Sequence, residues 1–75
     1  MKKEEFLVAL EDILQTDETI LENKNLEEMD EWDSLSKMAV MAYFKKEFNV
    51  ELALSNLKEV KTPIDLIKLL GDKIQ

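Results

Sequence analysis

Two stretches in the first two thirds of the chain carry apolar residues every three to four positions, the spacing that places them on one face of an α-helix. The first stretch predicts a helix over residues 2–15. Its core face consists of Phe6, Leu7, Leu10, Ile13 and Leu14. The second predicts a helix of about four turns that begins at Ser34 and ends at Phe48. Asn49 follows it and suits the left-handed conformation that often ends a helix.

A third helix is predicted after Thr62 by its start signals. Thr62 is expected at the N-cap, Pro63 at the first helical position and Asp65 at the third, completing a pair like a capping box. Leu66, Ile67 and Leu70 then face inward, and Gly71 ends the regular part of the helix.

The remaining segments lack a sustained helical period. Residues 16–33 are polar and predict a long loop that is pinned by single apolar anchors, namely Ile20, Leu21, Leu26 and Met29. Residues 52–60 predict one short helix at best, with Ser55 as its cap and with Leu54, Leu57 and Val60 buried. Strand signals are absent. The prediction is a single all-α domain over residues 1–75, a small bundle of three main helices plus one short helix, with a long loop between helices 1 and 2.

The helix over residues 34–48 has two apolar faces. The bulkier face, expected to be core, consists of Val40, Met41, Phe44 and Phe48. The lighter face consists of Leu35, Met38, Ala39 and Ala42 and is left as an exposed strip. A second apolar face on a surface helix indicates a docking site, and methionine suits a surface that adapts to several partners. The alternative for Met38 is ordinary packing inside the core.

Asp33 and Ser34 lie where the loop becomes the helix. Backbone N–H groups and the helix dipole favour an anion at this end, so a phosphate attached to the Ser34 hydroxyl would be stabilised there. The alternative is that Asp33 or Ser34 is only the N-cap of the helix.

Composition restricts the possible chemistry. The chain has no cysteine and no histidine, so it lacks disulfides, thiolate metal sites and the commonest general base, and we expect neither a metal site nor enzyme activity. The formal net charge is −7, which disfavours nucleic acid and favours basic protein partners. No apolar run is long enough for membrane insertion, and the acidic N-terminus does not resemble a signal peptide. We therefore expect a cytoplasmic monomer.

The charge is unevenly distributed along the chain. Residues 1–33 carry 12 acidic residues and 3 lysines, whereas residues 34–75 carry 5 acidic residues and 7 lysines. Acidic side chains concentrate just before Ser34, and of these we expect Asp30 and Glu31 to contact partners. Such a run is usually a solvated loop, and that alternative stays open.

Three features follow one another in the middle of this acidic chain: the motif Trp32-Asp33-Ser34-Leu35, a Met-rich helix, and the segment Lys46-Glu47-Phe48-Asn49-Val50-Glu51-Leu52. Together they resemble the acyl carrier protein family over nearly the whole chain. In that family the serine of Asp-Ser-Leu carries a 4′-phosphopantetheine arm, and the following helix is the main surface that partner enzymes read. The resemblance implies that Ser34 carries the arm and that its neighbours Asp33 and Leu35 belong to the attachment motif. It also implies that Asp33 helps present Ser34, or magnesium-bound coenzyme A, to a phosphopantetheinyl transferase. Further implied partners are an acyl-activating ligase and acyltransferase or synthase enzymes.

Departures from the family pattern favour a specialised pathway over core fatty-acid synthesis. Fatty-acid carriers place several acidic residues on the helix after the serine, but residues 34–48 carry three lysines and one glutamate, and Ala39 stands where glutamate is usual. A separate departure, which bears only on the loop, is Glu31 in place of the usual glycine two residues before Asp33, and it leaves Asp33-Ser34-Leu35 intact. Trp32 before Asp-Ser-Leu is also more typical of free-standing carriers of specialised pathways.

Three other functions were weighed. A stand-alone aminoacyl or peptidyl carrier stays possible, although its usual Gly-Gly-x-Ser motif is absent. An unmodified helical adaptor would bind a partner through the Leu35, Met38 and Ala42 strip. A calcium-binding EF-hand is excluded by spacing, because a loop starting at Asp30 would have leucine where glycine is required and Met41 where glutamate is required. Val40, Met41, Phe44, Leu57 and Val60 are the inner residues that would part if an acyl chain were sheltered in the core.

Overall fold

The computed structural model describes residues 1–74, which form four α-helices: α1 (Lys3–Leu14), α2 (Ser34–Phe48), α3 (Leu54–Lys58) and α4 (Pro63–Leu70). Single turns of 3₁₀ helix lie at Leu26–Glu28 and Gly71–Lys73, and these residues contain no strand. The predicted all-α bundle of three main helices and one short helix is therefore confirmed.

The core draws on all four helices and on the long loop. Its buried apolar side chains are Phe6, Leu10, Leu14, Ile20, Leu26, Met29, Trp32, Val40, Phe44, Leu57, Val60, Leu66, Ile67 and Leu70. The rings of Phe6 and Phe44 join α1 to α2 edge to face, with centroids 6.0 Å apart. Burying such a ring stabilises the fold by about 1.5–3 kcal/mol. Leu7 and Ile13, predicted to share the core face of α1, are half-buried at its margin.

The loop between α1 and α2 is attached to the rest of the bundle at three backbone positions. The N–H of Ile20 donates to Glu11 Oε2 at 2.9 Å, which ties the loop to α1. The N–H of Leu26 donates to the Lys61 carbonyl at 2.8 Å, and the N–H of Ile64 donates to the Glu22 carbonyl at 3.0 Å. These last two bonds join the loop to the connection between α3 and α4 and to the start of α4.

Two expectations about the loop anchors need correction. Ile20, Leu26 and Met29 are buried as predicted, but Leu21 is 63% exposed, because its neighbour Ile20 occupies the inward position. The missing anchor is Trp32, which is only 8% exposed immediately before the start of α2. In the sequence Trp32 is only a marker of the family resemblance, and its place in the core was not predicted.

The segment around α3 also differs from the prediction. Ala53, not Ser55, occupies the N-cap, and its N–H is satisfied by Asn56 Oδ1 at 2.8 Å. Ser55 lies inside the helix. Leu57 and Val60 are buried as predicted, whereas Leu54 is 51% exposed, because at the first position of the helix it faces away from the core.

The other predicted helix ends agree with the structure, with one modification. Asn49 adopts the left-handed conformation (φ 57°), and its N–H donates to the Lys45 carbonyl. Thr62 is the N-cap of α4, but its hydroxyl makes no capping bond. The Asp65 carboxylate supplies the reciprocal half of the predicted pair, since its Oδ2 accepts the N–H groups of Lys61 at 3.0 Å and Thr62 at 3.1 Å.

Candidate functional site

The start of α2 is fixed by a reciprocal pair of hydrogen bonds. Asp33 is the N-cap, and its Oδ1 accepts the N–H of Ser36 at 2.9 Å. In return Ser36 Oγ accepts the N–H of Asp33 at 2.9 Å. Of the two residues considered as the cap, Asp33 therefore has the role, and Ser36 is a partner that the sequence analysis did not identify. An Asp-x-x-Ser spacing at a helix start was the signal for it.

The same hydrogen bonds keep the Asp33 carboxylate ionised. The N–H of Ser36 lowers the pKa of Asp33 below its ordinary value, and partial desolvation opposes this shift without overcoming it. An anionic side chain at this position also interacts favourably with the positive end of the α2 dipole.

Ser34 occupies the first position of α2 with an exposed side chain. Asp33 and Ser36 make the capping bonds, and within residues 1–74 the Ser34 hydroxyl takes part in no hydrogen bond. It is therefore free to be modified without disturbing the helix start. The surrounding N–H groups and the helix dipole suit a phosphate there, so the residues present fit the predicted arm.

The strip predicted on α2 is exposed, and the two faces of the helix are as expected. Val40 and Phe44 are fully buried and Met41 and Phe48 half-buried. On the other face Leu35 is 79% exposed and Met38 59% exposed, with Ala39 and Ala42 also exposed. This exposure excludes the alternative in which Met38 packs into the core.

The predicted strip borders three separate depressions. Met38 shares a cleft of about 190 Å³ between α2 and α3 with Ser34, Lys37, Leu54 and Lys58. Leu35 and Ala39 line a wider groove of about 590 Å³ on the loop side, together with Ile13, Leu14, Gln15, Asp30, Glu31, Asp33 and Ser36. Ala42 lies in a third depression with Met41, Lys45, Glu51 and Leu52. Ser34 thus has a neighbouring cleft on one side and, on the other, a groove that gathers the predicted partner residues of the loop.

The two sides of Ser34 differ in charge. Asp30, Glu31 and Asp33 make the loop-side groove acidic, whereas Lys37 and Lys58 make the cleft between α2 and α3 basic. Lys37 also lies over Trp32, with Nζ 5.6 Å from the ring centroid, a distance at which a cation and an aromatic face attract each other. Leu54 enlarges the apolar surface of this cleft and was missed because its exposure was not anticipated.

Of the residues that would have to part to shelter an acyl chain, Met41 is half-buried and the other four are buried. Val40 and Phe44 have no exposed surface, and Leu57 is 1% exposed. An acyl chain would enter this region only if α2 and α3 moved apart.

Among residues 1–74, no cluster of three or more histidine, cysteine or acidic side chains could hold a metal ion. In the same residues, every helix is too short or too polar to cross a membrane.

Comparisons with known proteins identify the fold and the family of the chain. No curated protein sequence matches the chain significantly. The fold is similar to the solution NMR structure of a holo acyl carrier protein from Geobacter metallireducens, with a TM-score of 0.73 and 21% sequence identity, covering 95% of this chain and 83% of that one. The family model described as "Phosphopantetheine attachment site" matches residues 4–70. Members of this family are carriers that work with modifying transferases and biosynthetic enzymes. With that match spanning nearly the whole sequence, the chain belongs to the acyl carrier protein family, and its cofactor is covalently attached 4′-phosphopantetheine.

Proposed function

We propose that Ser34 carries the 4′-phosphopantetheine arm and that the chain delivers an acyl group, held on that arm, to enzymes of a specialised pathway. The observation that carries the proposal is the exposed Ser34 hydroxyl at the first position of α2, free of the capping bonds made by Asp33 and Ser36.

Attachment is a phosphoryl transfer performed by a separate transferase. Ser34 Oγ forms the new bond to the phosphorus that bears pantetheine, the pyrophosphate bond of coenzyme A breaks, and adenosine 3′,5′-bisphosphate leaves. The hydroxyl proton passes to a base on the transferase. The resulting phosphodiester lies at the positive end of α2, where an anion is stabilised.

Asp33 acts as a positioning residue in this scheme. Its carboxylate fixes the first turn of α2 and so sets the direction in which the Ser34 side chain leaves the surface. Its charge also remains available to a magnesium ion brought by coenzyme A, because the pKa of Asp33 is lowered.

The arm supplies a terminal thiol, on which the cargo is held as a thioester. The protein then serves as tether and address: tethering raises the local concentration of cargo at a docked enzyme, provided that the arm spans the distance to the reacting centre.

The charge of α2 supports a specialised pathway. Lys37 is half-buried and Lys46 is exposed, and neither forms an ion pair within residues 1–74. Lys45 pairs with Glu51, with Nζ and Oε1 2.9 Å apart. A helix with this charge matches poorly the basic faces that bind the acidic helix of fatty-acid carriers, because complementarity of charge sets partner choice and on-rate.

Intact mass before and after incubation with a broad-specificity phosphopantetheinyl transferase, coenzyme A and magnesium tests the attachment. We expect a gain of one 4′-phosphopantetheine group in the parent chain and in Ser55→Ala, which removes another exposed serine, and no gain in Ser34→Ala. A modified Ser34→Ala protein would refute the assignment. No gain in folded, initially unmodified parent protein would favour the adaptor function.

Offering the modified chain activated fatty, hydroxy and amino acids with candidate ligases then identifies the cargo. We expect acyl loading; exclusive loading with amino acids would make the chain an aminoacyl carrier.

A further inference from the structure

The cleft between α2 and α3 combines an apolar surface with two cations beside the proposed attachment point. Met38 and Leu54 supply the apolar part, and Lys37 and Lys58 supply the charge. Met38 and Leu54 are both more than half exposed, which is unusual for large apolar side chains that lie together unless something covers them.

Neither lysine is neutralised by a carboxylate within residues 1–74. The ion pairs in this part of the chain are Lys3–Glu22, Lys45–Glu51 and Lys61–Glu27. Helix α2 contains no acidic residue from Ser34 to Lys46, and α3 contains none at all. The cleft therefore keeps a positive charge in a chain whose formal net charge is −7.

We propose that this cleft is the docking site for an apolar segment of a partner enzyme that bears carboxylates. The inference rests on the proposed function, which places the arm at Ser34, at the edge of the same cleft. Apolar side chains of the partner would cover Met38 and Leu54, and its carboxylates would pair with Lys37 and Lys58. The basic partners that the net charge of −7 favours would match the acidic loop side, but at this cleft a basic face would bring like charges together, which slows association.

The acidic groove on the other side of Ser34 gives this docking a direction. Its carboxylates, Asp30, Glu31 and Asp33, repel the same acidic segment. A segment that bears carboxylates is therefore steered to the α3 side of Ser34 and away from the loop side.

Binding of two designed peptides to the full chain tests the proposal. The acidic peptide is an amphipathic helix with a leucine face and a glutamate face, and the basic peptide has lysine in place of every glutamate. Trp32 is the only tryptophan and lies under Lys37, so its fluorescence reports occupation of the cleft. Amide shifts of ¹⁵N-labelled protein locate the binding site.

We expect the acidic peptide to shift the amides of Lys37, Met38, Leu54 and Lys58 and to change Trp32 emission. The double variant Lys37→Gln/Lys58→Gln should bind it about fivefold more weakly, the effect of losing two exposed ion pairs. The matched control, Lys46→Gln/Lys68→Gln, changes the net charge equally outside the cleft and should bind like the parent. Lys46 is nine residues after Lys37, which places it on the opposite side of α2.

Equal weakening in the two double variants would show attraction by net charge alone and would overturn the proposal. Unchanged binding in the cleft variant, or tighter binding of the basic peptide at the same amides, would also overturn it. Ser34→Ala should bind the acidic peptide normally, so this result is independent of the mass measurement that decides whether Ser34 carries the arm.

Discussion

The side chains of Asp33 and Ser36 each accept the other residue's backbone N–H across the first turn of α2, at 2.9 Å in both directions. Ser34 lies between the two partners in sequence and takes no part in their bonds. The residue proposed to carry the arm is thus held by its neighbours and contributes nothing of its own to the cap.

This arrangement predicts that alanine variants of the two serines differ both in stability and in attachment of the arm. Ser36→Ala removes the closer of the two acceptors of the Asp33 N–H, which then keeps only its 3.1 Å bond to the Glu31 carbonyl, and should lower the free energy of unfolding by about 1 kcal/mol. Ser34→Ala removes an exposed hydroxyl without a partner and should change it by about 0.5 kcal/mol or less. Urea denaturation measures both, and intact mass should show arm attachment to Ser36→Ala alone. A larger loss of stability in Ser34→Ala than in Ser36→Ala would contradict the geometry of the cap.

Asp33→Ala should lower the melting temperature and slow arm attachment, because it removes both the cap and an anion from the positive end of α2. Thermal denaturation and the initial rate of mass gain measure the two effects. The control Asp30→Ala removes a nearby exposed carboxylate that accepts no hydrogen bond within residues 1–74. Equal losses in Asp30→Ala would show that charge near Ser34 matters and that the capping bond does not.

Acid should destabilise the fold through its two capping aspartates. Backbone N–H groups, that of Ser36 for Asp33 and chiefly that of Lys61 for Asp65, lower the pKa of each carboxyl in the folded chain. The unfolded chain then binds protons first, so this stabilisation is complete above the ordinary aspartate pKa of about 4 and disappears as pH falls through the lower folded values.

Urea denaturation between pH 6 and pH 2.5 measures this loss of stability. Asp65→Asn removes one of the titrating groups and should make the decline shallower, whereas Asp17→Asn, at an exposed loop position, should leave it close to that of the parent. A parent chain whose stability is constant across this range would contradict the prediction.

Met38 and Met41 provide a matched test of the two faces of α2. Met38→Glu places a charge on an exposed position and should change the free energy of unfolding by about 0.5 kcal/mol or less. Met41→Glu places the same charge at a half-buried position and should cost about 1–2 kcal/mol. Denaturant titrations compare them directly. If Met38→Glu is the more destabilising of the pair, the assignment of the faces is wrong. With a partner enzyme identified, Met38→Glu should impair its reaction while the fold persists.

Trp32→Ala should be among the most damaging substitutions in the loop, at about 3 kcal/mol or more, because it leaves a cavity where a large ring was buried. Leu21→Ala should be nearly neutral, since Leu21 is exposed. Circular dichroism in urea measures both. Similar midpoints for the two variants would show that Trp32 does not anchor the loop.

Where periodicity is strong, the sequence was sufficient to predict the structure. The two faces of α2 and the left-handed Asn49 follow from spacing and residue type. Ile20 and Leu21 stand side by side in a segment without a period, so nothing local decides which of them turns inward. Leu54 and Ser55 lie in a helix of five residues, too short for a pattern to fix its register. Trp32 also lies in a segment without a period, so no local pattern marked it as a core residue.

At the candidate site, the sequence was sufficient to predict individual residues, but only the fold shows which residues lie together. Ser34 and Asp33 were predicted at a helix start, and the structure places them there. Leu54 and Lys58 are at least 20 residues from Ser34 along the chain. Only the packing of α3 against α2 brings them to the same cleft.

The bonds from Leu26 to Lys61 and from Ile64 to Glu22 have a consequence for how the carrier searches for its enzymes. Together with the buried Trp32, they make the segment leading to Ser34 part of the same body as α3 and α4. The proposed attachment point, Ser34, is therefore a fixed pivot. The volume that the cargo explores is set by the length of the arm and not by motion of the loop. A shorter or longer arm should therefore change the rates of acyl transfer. A glycine placed in the loop should chiefly change the stability of the fold.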